Sequence, residues 1–549
     1  MTDTAIPTGI RILRYDPAEL SHAGALESIL APNSPSAAIT EIPKFPINDI
    51  LLCSPFQAGD NRWNTIELTG AALFLGSALH ESSYRVHVTK QPLPAIAIPP
   101  HYLEHDLLGF TLFEETIEEF IELTQKLDLS PRQLLAAGGP LATLHPLQTA
   151  YHIPRLNLLV RGEAELALPH IIAALKNGDL EALLRVKGLL FQIPGLIILS
   201  HLDHINQPHD WRDFQFHLDF LEPRHLQHGL EINLSRGCRR GCVFCAKVQG
   251  RAVRALSPRQ FDELLSKWQD ALEAHHIDSP FAQTININDD DILQDPQYAA
   301  NIFQIIKRRG FRLWGIQTSI NSLFAPDSTM RTDVLDLIDD NDLFVNGKKL
   351  LWLGTDTFLQ RRGKKLAKRI PPKETIRALA QILDQRGILH YHYWISSDQH
   401  SDWHEFIDEF SFIAGLKKDF PTFHLLAHAP FLVPYLSTPL HKQLARDPQQ
   451  LKRIVYRTIL KGDHPVFDFP LAQRVETPNQ NLNRLLNNIP PDRDGGFFDH
   501  IKAGDFLAAL MVLYHYLKQE RFQTEAGPSP HSPLKDLQTN LEDLIASLM

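Results

Sequence analysis

Three of the four cysteines in this 549-residue chain, Cys238, Cys242 and Cys245, share one short stretch. That stretch, Glu231–Gly250, reads EINLSRGCRRGCVFCAKVQG, with the spacing C-x3-C-x2-C and Phe244 directly before the last cysteine. Three thiolates on one tight loop can ligate three irons of a cubane iron–sulfur cluster and leave the fourth iron open to an outside ligand. A four-cysteine electron-transfer centre leaves no such position. The alternatives are a three-cysteine zinc site completed by a histidine, or three unrelated thiols. Zinc favours paired C-x2-C knuckles or a nearby H-x3-5-H, and neither accompanies this loop.

The spacing, the aromatic residue and the preceding strand Leu230–Leu234 resemble the signature loop of the radical S-adenosylmethionine (SAM) superfamily. The resemblance implies a [4Fe-4S] cluster on Cys238, Cys242 and Cys245. Its open iron would be chelated by the amino and carboxylate groups of the methionine part of SAM. One electron then cleaves SAM to a 5′-deoxyadenosyl radical, which takes a hydrogen from an unactivated carbon. By the same resemblance Phe244 lies near the adenine, and a donor such as flavodoxin or ferredoxin supplies the electron.

Composition narrows the class. Apolar residues make up 44% of the chain, enough for buried cores, and the net charge is −10 without long basic tracts. A dedicated nucleic-acid surface is therefore not expected. No apolar run approaches the ~20 residues of a membrane span, and the N-terminus lacks a basic segment followed by an apolar one. Clustered cysteines suit a reducing compartment rather than a disulfide framework. A cytoplasmic enzyme is the expectation.

The elements that must position the loop fall in order along the chain. Residues 1–46, rich in Pro, Ala and Ser, read as an extension with a short helix. Over 47–200, short apolar strands alternate with helices, which predicts a parallel, doubly wound sheet. Its segments Ala137–Thr143 (AGGPLAT), Val160–Glu165 (VRGEAE) and Ile193–Leu196 (IPGL) resemble the cobalamin-binding-type Rossmann domain that precedes many radical SAM barrels. Glycines at strand ends would let the backbone approach a ligand at the carboxyl edge of the sheet. The D-x-H-x-x-G loop that often supplies a cobalt ligand does not occur between 47 and 200. Cobalamin is then held without a histidine, or the domain serves only as structure. Cys53 either faces such a site or is a buried structural thiol. Residues 201–224 and the histidines on to His228 read as a linker with polar, partly exposed side chains.

From 225 to 440 six strand segments alternate with helices: Leu230–Leu234, Thr284–Asn288, Arg312–Gln317, Leu350–Gly354, Leu389–Ile395 and Thr422–Ala427. That count fits the partial (β/α)6 barrel of the superfamily, whose chemistry sits at the carboxyl ends of strands. The ends include Asn288–Asp291, Gln317–Ser319, Gly354–Thr357, Ser396–Ser397 and Ala427–Ala429. The resemblance implies SAM contacts from Asp290, Gln317 and Asp356, with one of Arg361, Arg362, Lys364 or Lys365 toward the SAM carboxylate. Against this, Asp289–Asp291 could simply cap the next helix, the basic residues could be a solvated helix start, and Trp394 reads as core. Residues 441–549 read as mostly helical.

The whole predicts a radical SAM enzyme, with a cobalamin-dependent methyltransferase acting on a small molecule or peptide as the leading form. A radical SAM enzyme of another reaction type with a structural Rossmann domain, and a non-catalytic metal-binding module, are the alternatives.

Overall fold

The structure is a computed structural model that describes residues 10–14, 41–57, 68–93, 103–113, 116–206, 213–246, 249–426, 431–435, 438–460 and 469–477, with 211, 509 and 545–546. Most of 478–549, in the tail expected to be mostly helical, and the strand end at Ala427–Ala429 lie outside these residues. Among the described residues no helix is long and apolar enough to cross a membrane.

The first unit is built on eight strands: β1 Ile10–Arg14, β2 Asp49–Gln57, β3 Arg85–Leu93, β4 Leu107–Thr111, β5 Leu134–Gly138, β6 Leu158–Val160, β7 Leu189–Ile193 and β8 Leu196–Ser200. They lie in the order β1-β8-β7-β6-β5-β4-β2-β3. Successive strand residues point to opposite faces, and here both faces are apolar. Ile50, Leu52, Leu107, Leu134 and Leu158 join one buried cluster, while Leu51, Cys53, Leu108, Leu135 and Leu159 join the other. Such strands require helices on both sides, hence the doubly wound form. Cys53 is thereby a core thiol.

The sheet is parallel from β3 to β6 but antiparallel from β6 through β7 and β8 to β1. Ile193–Leu196, one of the segments resembling the cobalamin-binding-type domain, is a hairpin turn in which Pro194 precedes Gly195 at φ 82°, and the turn reverses the chain. The extension, in turn, supplies edge strand β1.

The stretch read as a polar linker is also packed. Trp211, Phe214 and Phe216 surround Phe74 with ring centroids at 5.0, 5.3 and 5.1 Å. Phe74 belongs to the helix Gly70–Glu81, and Gly76 two residues on makes room for Phe220: an added Cβ would lie 2.5 Å from its ring. His225 is buried, with Nε2 donating to the Val88 carbonyl at 3.0 Å. Aromatic residues every few positions were the sign of burial here.

After the hairpin strands β10 Ser235–Arg236 and β11 Arg254–Ala255, which follow β9 Leu230–Ile232, the barrel continues with β12 Thr284–Ile287, β13 Arg312–Leu313, β14 Ile316–Ser319, β15 Leu350–Asp356, β16 Leu389–Trp394 and β17 Phe423–Leu426. All barrel pairings are parallel, as β13-β12-β9 and β14-β15-β16-β17. The third expected strand is split at Trp314–Gly315, where β13 pairs with β12 and β14 with β15, and the Trp352 ring lies 2.3 Å from a Cβ added at Gly315. Six strand positions remain. Beyond residue 440 the described chain holds short helices, Pro439–Ala445 and Pro448–Leu451, but also an antiparallel pair, β18 Ile454–Leu460 and β19 Phe469–Val475.

Strand alternation divides the barrel wall. Leu351, Leu353, Thr355, His390 and His392 are buried beneath the helices, and Trp394 stacks on Phe406 and Phe410 as core. The opposite face carries Gln317, Trp352 and Tyr391 in register, with Tyr391 stacked on His424 at 4.5 Å. His390 Nδ1 contacts His392 Nε2, and His392 Nδ1 contacts Thr355 Oγ1, both at 2.8 Å. Burial pushes His390 down to about 3 and His392 well below its ordinary value. Both are neutral in the fold, whereas in the unfolded chain they take a proton below an ordinary pKa of 6.5. Their stabilisation is complete above that pH and is lost as pH falls from there toward His390's folded value. At about pH 5 His390 alone costs roughly 2 kcal/mol, and His392 acts in the same direction. Urea midpoints should fall steeply over this range and less so in His390→Gln; midpoints that do not change would contradict the assignment.

Candidate active site

The cysteine loop leaves the barrel through the β10–β11 pair. Its first residue must be glycine: Gly237 has φ 92°, and a Cβ there would lie 2.2 Å from the Ala252 carbonyl oxygen. The Cys238 N–H donates to the Gly250 carbonyl and the Cys245 N–H to the Cys242 carbonyl, each at 3.3 Å. Cys242 is buried, Cys238 half-buried and Cys245 exposed. Between them, Val243 donates to Leu366 at 3.1 Å and accepts from Leu440 at 2.9 Å. Val243 and Phe244 pack on an apolar cluster of Leu366, Leu432, Leu440, Leu444, Ile454 and Val475. Burial, then Asp291 and Asp290, push the Cys238 thiol up, and Arg240 opposes them. Metal binding would expel that proton.

The acidic run resolves into different roles. Asp289 is buried and accepts from the Leu234 N–H at 2.7 Å, the Ser235 N–H at 2.8 Å and the Ser235 hydroxyl. Burial pushes its carboxyl up to about 7 despite these donors. Asp291, also buried, accepts from Thr318, from the Ser319 N–H at 3.3 Å and from Ser322 at 2.8 Å. Arg240, between Cys238 and Cys242, adds a contact to Asp291 at 3.2 Å and one to Ser322 at 2.6 Å. Asp289 and Asp291 therefore bind the cysteine loop to the ends of β12 and β14. The cap of the next helix is Asp295. Of the three, Asp290 is the one exposed to solvent, and it lies close enough to Cys238 to influence its thiol.

Gln317 is exposed on the face that also carries Trp352. Asp356 ends β15 at φ 62°, beside a register shift after Gly354. A non-glycine residue in this region stores strain, a frequent mark of functional strand ends. Its carboxylate pairs with Lys368, whose ammonium also donates to the Gly354 carbonyl. Lys368 is thus the cation at this strand end, three residues past the basic cluster. Arg362 is buried with Asp398 at 2.9 Å, Glu409 and the Ile395 carbonyl, and Arg361 pairs with Glu405. Neither fits the SAM-facing role expected of that cluster.

A second tie, not anticipated, reaches the first unit. Arg236 on β10 pairs with Glu163 at 3.0 Å and Glu165 at 2.6 Å, and all three are nearly buried. Arg254 on β11 grips Glu163 at 2.6 and 2.7 Å. The Arg236 guanidinium also lies over the Phe74 and Trp211 rings at 4.6 and 4.7 Å. Both VRGEAE carboxylates therefore bind the base of the cysteine loop. At the same seam, the Gly70 N–H donates to Glu231 at 3.4 Å. By contrast Gly138, at the end of β5, is open: an added Cβ would meet nothing nearer than the Val160 oxygen at 4.0 Å.

No family model and no curated protein sequence matches the chain. Solved structures do. The cobalamin-dependent SAM radical enzyme OxsB, with aqua-cobalamin and SAM bound, superposes with a TM-score of 0.63 at 15% identity, covering 91% of this chain and 79% of OxsB. The radical SAM methyltransferase TsrM from Kitasatospora setae, with cobalamin and a [4Fe-4S] cluster bound, gives 0.58 at 13% identity over 91% and 99%. Its complex with tryptophan substrate and aza-SAM gives 0.55 at 14% identity over 84% and 88%. The structural neighbours are cobalamin-dependent radical SAM enzymes, and the chain shares their fold.

Proposed function

We propose that the chain is a cobalamin-dependent radical SAM methyltransferase acting on a carbon of a small-molecule or peptide substrate. The observation that carries this reading is the three-cysteine loop fixed to the carboxyl ends of β12 and β14 by Asp289 and Asp291, and to the first unit by Arg236. The donor set fits the cluster: Cys238, Cys242 and Cys245 offer three thiolates and leave one iron open. Exposed Asp290 suits the SAM ammonium, Gln317 and Asp356 suit its polar groups, and Phe244 suits its adenine. The open backbone at Gly138 fits the approach of a corrin or its tail at the carboxyl edge of the sheet. When bound, these groups supply an electron for SAM cleavage and a methyl carrier. The chain's own part is to hold the ligands in fixed register and to keep Cys238 and Cys242 away from bulk water.

A carboxylate that accepts from an ammonium is worth about 1.5–3 kcal/mol once the bound ligand shields the pair from water. Asp290→Asn should therefore raise the Kd for SAM roughly tenfold or more, with iron content and melting temperature unchanged. An unaltered affinity would remove Asp290 from the SAM site.

The function is tested by supplying SAM and dithionite to the iron- and cobalamin-reconstituted chain. Both 5′-deoxyadenosine and S-adenosylhomocysteine are expected, the second only when cobalamin is present. Formation of 5′-deoxyadenosine without S-adenosylhomocysteine, although cobalamin is bound, would favour another radical reaction. Neither product would overturn the proposal.

A further inference from the structure

At the amino-terminal edge of the first sheet, away from the cysteine loop, three ligand-type side chains converge. Asp49 opens β2, His87 is on β3, and His105 lies just before β4. His105 Nδ1 is 2.9 Å and His87 Nε2 3.3 Å from the same oxygen, Asp49 Oδ1. One ligand atom from each residue lies within 4.8 Å of the others. We propose that Asp49, His87 and His105 form a zinc-class divalent-metal site with its fourth position open to solvent.

The distances suit such an ion. Zinc binds nitrogen and oxygen at about 2.0–2.1 Å, which sets neighbouring ligands of a tetrahedron about 3.3 Å apart. The surroundings hold the ligands in place. Asp106 accepts from the Asn48 and Asp49 N–H groups at 2.8 and 3.0 Å, and Gln133 donates to the His105 carbonyl at 2.8 Å. Arg85 contacts the second Asp49 oxygen at 3.2 Å, leaving Oδ1 to face both imidazoles. A ligating carboxylate is commonly braced by such an outer contact. His105 is buried, while His87 is 38% exposed and leaves the approach open. Three protein ligands of N2O type plus water is the open-coordinated zinc arrangement.

The test uses the full chain with its iron–sulfur cluster reconstituted, so that the cysteines are occupied. The protein is incubated with zinc alone, desalted and assayed for zinc and iron, beside His87→Gln and His105→Gln. The expected result is about one zinc per wild-type chain. Each variant should bind zinc at least about a hundredfold more weakly, since loss of a supporting contact alone costs 10–100-fold. Iron content and SAM cleavage should not change in His87→Gln, whose exposed side chain is not needed for folding. Wild-type protein that retains no zinc, or a His87→Gln variant that retains it with unchanged affinity, would overturn the site. The activity readouts are separate, so this outcome leaves the proposed function untouched.

Discussion

The triple variant Cys238→Ala, Cys242→Ala, Cys245→Ala is expected to fold, to hold no cluster iron and to cleave no SAM. Loss of the ligands removes the electron's route to SAM, so the rate of 5′-deoxyadenosine formation should fall by far more than the 10–100-fold typical of a lost supporting contact. The fold should survive because the loop is held by other groups. Cys238 is fixed by its backbone bond to Gly250 and Gly237 by the Gln294 side chain, and Asp289 and Asp291 secure the strand ends on either side. Only Cys242 of the three is buried, and replacing one small thiol by alanine costs about 1 kcal/mol. Circular dichroism with urea titration separates loss of chemistry from loss of fold. Full SAM cleavage in this variant would end the cluster assignment.

Arg236→Met carries the largest expected cost to stability. The guanidinium is enclosed by Glu163, Glu165, Phe74 and Trp211. Removing it leaves Glu165 without that partner in a buried site, and breaking such a pair costs about 3–5 kcal/mol. Arg254 still holds Glu163, so the first unit stays attached to the barrel while the loop's base loosens. The cluster should be lost faster on desalting than from wild type. Adding Glu165→Gln to Arg236→Met should restore part of the stability, because the unpaired charge is then gone. Urea midpoints of the two single variants and the double variant form a cycle that isolates the pair; strictly additive losses would show that Arg236 acts by packing alone.

The parts legible in the sequence were those encoded by local pattern. C-x3-C-x2-C names its chemistry because all three ligands lie on one loop. The six barrel strands were readable because apolar runs alternate with amphipathic helices. Long-range pairing was not readable. Nothing local says that Arg236 meets Glu163 and Glu165, or that Ile10–Arg14 returns to pair with Leu196–Ser200. In the acidic run, sequence shows three like residues, but strand geometry buries Asp289 and Asp291 and exposes Asp290. The hairpin did have a local signal, Pro194-Gly195 between two apolar runs. Lys368 had none, since its role depends on the bent end of β15.

The most direct measurement is metal analysis of the wild-type chain after anaerobic reconstitution with iron, sulfide and hydroxocobalamin, followed by desalting. About four irons and about one cobalt per chain are expected. Four irons without cobalt would keep the cluster and remove the corrin from the mechanism. A chain that keeps no iron, and instead holds zinc that disappears when Cys238, Cys242 and Cys245 are replaced, would contradict the central claim.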